Sequence, residues 1–187
     1  MPETAPPAGL LVLVVGPSGA GKDTLIGLAR AALADDPSVA FPRRLVTRPS
    51  SCWEEHDTLS SEAFEAGVRA GAWPLSWRAH GLGYALPTEL ADDLAQGRTI
   101  VANVSREAVA VARRRFPRVC VVYVTAPPDV LASRVAGRGR DADVSGRVSR
   151  VAPVEADLAP DLVIDNSGRA EEAAARLIGA IRGAVPA

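Results

Sequence analysis

The chain has 187 residues, a formal net charge of -1 and a pI near 6.1, so it lacks the basic field that a nucleic-acid backbone requires. Its longest strongly apolar run, residues 10–15, is far too short to span a bilayer, and the opening MPETAPPAG has neither the basic nor the apolar region of a signal peptide. A cytoplasmic protein without nucleic-acid or membrane partners is expected; its oligomeric state is not written in the sequence, and Cys52 and Cys120 alone do not suggest a disulfide framework.

Pro2, Pro6 and Pro7 mark residues 1–9 as a flexible N-terminal tail, leaving 10–187 as a single domain of ordinary size. LLVLVV at 10–15 is an unbroken apolar run of strand length. From Lys22 to about Leu33, Leu25, Leu28, Ala29 and Ala32 recur at helical spacing. Further strands are predicted at 99–104, 119–125 and 161–165, with a weaker one at 43–47. Helices are predicted between them at 60–70, 87–96, 105–115, 128–136 and 169–182. Continuous apolar strands alternating with helices imply an α/β fold: a parallel sheet covered on both faces, with insertions.

Between the first strand and first helix stands GPSGAGKD, residues 16–23. Strand, glycine-rich turn and helix form the context of a phosphate-binding loop, in which successive backbone N–H groups and the helix dipole converge on an anion. Gly16, Pro17, Ser18, Gly19, Ala20 and Gly21 are the candidate cradle for ATP, followed by Lys22, Asp23 and Thr24. Lys22 is the one lysine among 21 basic residues, and a compact ammonium that can follow a moving phosphoryl group is poorly replaced by Arg. Position 23 ordinarily carries a hydroxyl for magnesium; Asp23 is a carboxylate, also a hard oxygen ligand, and is the candidate contact to Mg²⁺, directly or through water. Its alternative role is electrostatic support of the helix N-terminus.

Other polar clusters bear on the phosphate acceptor. Arg43, Arg44 and Arg48 surround the weak strand and suit an anionic group. His80 and Tyr84 lie in SWRAHGLGYALP, which reads as a flexible polar loop, and the lone His56 elsewhere gives no zinc spacing. Arg134, Arg138, Arg140, Arg147 and Arg150, interrupted by glycines, suit a lid at about 137–152 that neutralises developing charge. DNSG at 165–168 reads as turn and cap chemistry first, and adenine-side contact second.

Taken in order, GPSGAGK, TRP, SSEAFEAGVRAGAW, HGLGYALP and TAPPDVLASRVAGRGR resemble guanylate kinase and its relatives from about Val12 onward. Among these the chain is most similar to the ribose 1,5-bisphosphate phosphokinases of bacterial phosphonate breakdown, whose loop reads GKD. It departs from guanylate kinase itself where a base is held: the Gly-Asp-Tyr-Tyr run is missing after TRP, Leu75 replaces an acid, and ANVS replaces a strand ending in Asp-hydrophobic-Asp. The resemblance implies a nucleoside-monophosphate-kinase-like fold with an acceptor-binding insertion at about 44–90. It also implies transfer of the ATP γ-phosphoryl group to the 1-phosphate of ribose 1,5-bisphosphate, giving 5-phosphoribosyl 1-diphosphate and ADP with Mg²⁺. On that reading Lys22, Asp23, Arg138, Arg140 and Arg147 serve catalysis, while Arg44, Arg48, His80 and Tyr84 hold the acceptor. A nucleoside monophosphate kinase and a non-catalytic binding module of the same fold are the alternatives.

Overall fold

The computed structural model describes residues 8–49, 56–136 and 158–183. The Arg-rich segment expected to form a lid, with Arg138, Arg140 and Arg147, lies outside them, as do residues 1–7 and Cys52. In chain order the elements are β1 (Leu10–Val15), α1 (Lys22–Ala32), β2 (Val39–Ala40), β3 (Arg44–Val46), β4 (His56–Thr58), α2 (Ser61–Ala70), β5 (Ser76–Ala79) and β6 (Leu82–Ala85). There follow α3 (Glu89–Ala95), β7 (Thr99–Asn103), α4 (Arg106–Arg115), β8 (Val119–Thr125), α5 (Pro128–Ala136), β9 (Leu162–Asp165) and α6 (Ala170–Ile181).

β1 is the middle strand of a parallel sheet in the order β2-β7-β1-β8-β9. Its run of Leu and Val shows no polar alternation because both faces are covered. Val12 and Val14 pack with α1, α5 and α6, whereas Leu11, Leu13 and Val15 pack with α3, α4 and residues of the second sheet. Residues 11–15 are fully buried, each side chain contributing about 1.5–3 kcal/mol relative to exposure. Ala8 and Gly9 are already held, since Arg118 donates to the Ala8 carbonyl at 2.8 Å and the Gly9 N–H donates to Leu94 at 2.9 Å.

A second sheet, β4-β3-β6-β5, occupies residues 44–85 in sequence and is mixed: β3 and β4 run parallel, while β6 is antiparallel to both β3 and β5. The weak run at 43–47 is therefore a strand, but it belongs to this sheet and not to the central one. Nor is the segment carrying His80 a flexible loop. β5 and β6 form a hairpin whose two turn residues, His80 and Gly81, have φ of 51° and 74°. Two successive left-handed residues are what a type I′ turn needs, and His is among the side chains that tolerate that region. Trp77 and Tyr84 face each other across the hairpin with ring centroids 5.4 Å apart and an interplanar angle of 6°. Phe64 of α2 closes against Gly83, where a β-carbon would lie 2.7 Å from the Phe64 ring.

Candidate functional site

Residues 16–21 connect β1 to α1 at the C-terminal edge of the central sheet, where ligands of open parallel sheets bind. The curl of this loop depends on its glycines. At Gly21, φ is 84° and a β-carbon would run into the Asn166 amide. Because Gly21 is also the N-cap of α1, the cap residue contributes no side-chain bond to the first helical turn, whose N–H groups are of the kind that receive an anion. Lys22 Nζ donates to the carbonyls of Gly16 and Pro17 at 2.8 and 2.9 Å, so the ammonium lies inside its own loop.

The loop is braced from the other side of the sequence. Asn166, 4% exposed, donates from Nδ2 to the Ala20 carbonyl at 2.8 Å, while its backbone carbonyl accepts from Arg134 Nη2 at 3.0 Å. The expected turn at 165–168 is present, with the Ser167 N–H donating to Asp165 Oδ1 at 2.8 Å. The Ser167 hydroxyl and N–H hold the Asp165 carboxyl below its ordinary range. These side chains do not cap α6, whose N-cap is Arg169 without a side-chain bond. Arg134, in α5, thus supports the residue that braces the loop.

A cavity of about 370 Å³ opens in front of the loop. Gly16, Ser18, Gly19, Gly21, Lys22 and Asp23 line one part of it; Arg44, Arg48, His80 and Tyr84, brought from the second sheet and its turns, line another. Ten residues singled out from sequence thus meet at one place. Three from the loop region do not line the cavity: Pro17, whose carbonyl is taken by Lys22; Ala20, fully buried; and Thr24, exposed on α1. Arg43 turns outward to Asp57, 3.3 Å away, and to the His56 carbonyl. Leu75 is fully buried in the apolar core, packed with Trp77 and Leu86, and offers the cavity nothing.

The sequence reading gave no site role to Asn103, Ser105 or Trp77, which also line the cavity. Asn103 Nδ2 donates to Asp23 Oδ1 at 2.7 Å. Trp77 Nε1 and Ser105 Oγ are buried without a hydrogen-bond partner among the described residues, a state that costs about 1–3 kcal/mol per group. Asp23 is the only carboxylate among the described lining residues. The same inventory bears on magnesium. No group of three His, Cys, Asp or Glu that could hold a metal occurs among the described residues. Asp23 supplies an oxygen of the hard type that Mg²⁺ takes from one or two carboxylates when substrate phosphates and water complete its shell, so the donor set fits that ion.

No family model matches the chain. It is 56% identical to the ribose 1,5-bisphosphate phosphokinase PhnN of Methylobacterium radiotolerans over 176 residues, 93% of this chain and 98% of that protein. The protein of the same name from Bradyrhizobium diazoefficiens is 48% identical over 93% of this chain and 88% of its own. In three dimensions the chain resembles the crystal structure of guanylate kinase from Anaplasma phagocytophilum with a TM-score of 0.73 at 17% identity, covering 97% of this chain and 89% of that one.

Proposed function

The chain belongs to the family of ribose 1,5-bisphosphate phosphokinases, and we propose that it transfers the ATP γ-phosphoryl group to the 1-phosphate of ribose 1,5-bisphosphate, releasing 5-phosphoribosyl 1-diphosphate and ADP. The observation that carries this reading is the one cavity that joins the phosphate loop to the guanidinium groups of Arg44 and Arg48. An acceptor that is itself a phosphate ester matches that charge, and a ribose without a base needs none of the acidic groups that would pair with guanine.

Little covalent chemistry falls to the protein, because the attacking phosphate oxygen is anionic near neutral pH and no strong base is required. The loop N–H groups and the first turn of α1 hold the triphosphate. Lys22 leaves the Gly16 and Pro17 carbonyls to meet the γ-phosphate as charge develops there. Asp23 would hold magnesium, which when bound would supply positive charge against the phosphates. Arg44 and Arg48 fix the acceptor phosphates, and His80 and Tyr84 orient the sugar between them. Arg138, Arg140 and Arg147, beyond the described residues, are assigned to charge neutralisation on closure.

The experiment is ADP release by the purified protein with MgATP and either ribose 1,5-bisphosphate or GMP, with the sugar product identified by mass. Turnover with the bisphosphate alone is expected. Turnover with GMP would return the protein to the nucleoside monophosphate kinases, and turnover with neither, joined to a lack of thermal stabilisation by MgATP, would make it a binding module.

A further inference from the structure

Asp23 and Asn103 are separated by 80 residues and sit on different elements, the first turn of α1 and the last residue of β7, yet their side chains meet in the cavity lining. A carboxylate can only accept a hydrogen bond, so the nitrogen of the Asn103 amide faces Asp23 Oδ1 and its oxygen is turned away. The backbone beneath Asn103 is fixed, since β7 is parallel to β1 with Asn103 in register with Val14, two residues before the phosphate loop begins. One rigid strand therefore carries the donor, and its neighbour carries the loop that leads to the acceptor.

We infer that Asn103 is a positioning residue: it holds the Asp23 carboxylate for the cation that accompanies the nucleotide, and its neutrality is what permits an acid at the end of the phosphate loop. The bond engages Oδ1 and leaves Oδ2 for the cation. Holding the carboxylate in one rotamer removes an ordering cost that cation binding would otherwise carry. A second acid at position 103 would instead set two carboxylates within hydrogen-bonding distance of each other, beside the triphosphate. Position 23 and position 103 thus share one negative charge and one amide between them. The inference rests on the magnesium-nucleotide part of the proposed function and not on the identity of the acceptor.

The test is the affinity for ADP, measured calorimetrically with and without magnesium; the ratio of the two is the readout. Asn103→Ala is expected to lower that ratio by roughly tenfold to a hundredfold, the value of a hydrogen bond to a charged group. Asn103→Asp is expected to weaken magnesium-free binding about tenfold by adding charge near the phosphates. The exchange Asp23→Asn with Asn103→Asp restores one acid and one amide, and is expected to recover most of the magnesium response that Asp23→Asn loses. A wild-type ratio in Asn103→Ala, accompanied by no more than a lowered melting temperature, would overturn the inference in favour of a bond that only steadies the fold. An exchange variant no better than Asp23→Asn would overturn it as well, and this arm serves if Asn103→Ala does not fold. Turnover of ribose 1,5-bisphosphate by the wild type, followed in parallel, reports on the acceptor reading separately.

Discussion

Asn166 reaches back across 146 residues to donate a 2.8 Å hydrogen bond to the carbonyl of Ala20, in the middle of the phosphate loop. Its backbone N–H donates to Thr125 at the end of β8, and its backbone carbonyl accepts from Arg134 of α5, so one residue ties two elements to the loop. Asn166→Ala leaves a buried carbonyl unpaired and is expected to cost about 1–3 kcal/mol of stability, read by denaturant unfolding. ATP affinity should fall with it, because the loosened loop must be ordered on binding. A loss below about 0.5 kcal/mol, the size of an ordinary surface substitution, would mean that the loop keeps its shape without the brace.

Lys22 is tied to Gly16 and Pro17 within its own loop, a position from which a short movement brings the ammonium to a bound phosphate. Lys22→Arg keeps the charge but loses the compact head and its rotatable donors. Both Lys22→Arg and Lys22→Ala are expected to reduce turnover on the order of a hundredfold to a thousandfold, with smaller effects on ADP affinity. Single-turnover rates at saturating nucleotide check the expectation; a defect confined to KM would assign Lys22 to binding alone.

Four strands of the central sheet were legible because they are apolar runs, as LLVLVV and VCVVYVT are, and because glycine-rich punctuation separated them from helices with clear periodicity; the two-residue edge strand β2 was not. Of the second sheet only β3 was legible, as a weak run. Its other strands are three or four residues long, and HDT, SWRA and LGYA offer too few alternations, with charges and glycine among them, to register as strands. The turn that joins β5 to β6 uses His-Gly in place of the usual Asn-Gly or Asp-Gly. Of the site, the loop and the residues Arg44, Arg48, His80 and Tyr84 could be found from local motifs. Asn103 and Asn166 act through side-chain bonds to residues 80 and 146 positions away, which no local spacing encodes.

His80 carries two candidate burdens, a left-handed turn position and a place in the cavity lining, and substitution can separate them. Asn tolerates positive φ, so His80→Asn is expected to leave stability within about 0.5 kcal/mol of wild type, whereas His80→Ala should lose about 1 kcal/mol at the turn. A role in orienting the sugar predicts that both variants raise KM for the acceptor. If only His80→Ala shows a kinetic defect, and it tracks the loss of stability, His80 is a turn residue.

Cys120 lies in β8, and burial pushes its thiol up to about 11, with the Asp161 charge adding to the shift and Arg113 opposing it. The folded state therefore keeps a proton that the unfolded chain releases from near pH 9. Stability from this source is fully present below pH 9 and declines as pH rises toward 11. Cys120→Ala should flatten the fall in unfolding free energy across that window. In a Cys52→Ser background, iodoacetamide at pH 8 should leave the native protein unlabelled until denaturant is added.

Arg44 and Arg48 approach the cavity from β3 and from the turn that follows it, and the segment is tied to β4 by the contact between the Arg48 carbonyl and His56 Nε2 at 3.4 Å. If they hold the acceptor phosphates, removal of either guanidinium should weaken acceptor binding far more than nucleotide binding, because the phosphate loop is built separately between β1 and α1. Arg44→Ala and Arg48→Ala are each expected to raise KM for ribose 1,5-bisphosphate by roughly tenfold to a hundredfold, the worth of a charge-assisted contact, while ADP affinity stays within about threefold. Arg→Lys at either site should recover little if the phosphate is gripped through two parallel N–H bonds, and much if only the charge matters. Initial rates over a matrix of ATP and acceptor concentrations separate the two constants. A loss shared equally between nucleotide and acceptor would place these arginines at the transferring phosphoryl group instead of at the acceptor's own phosphates.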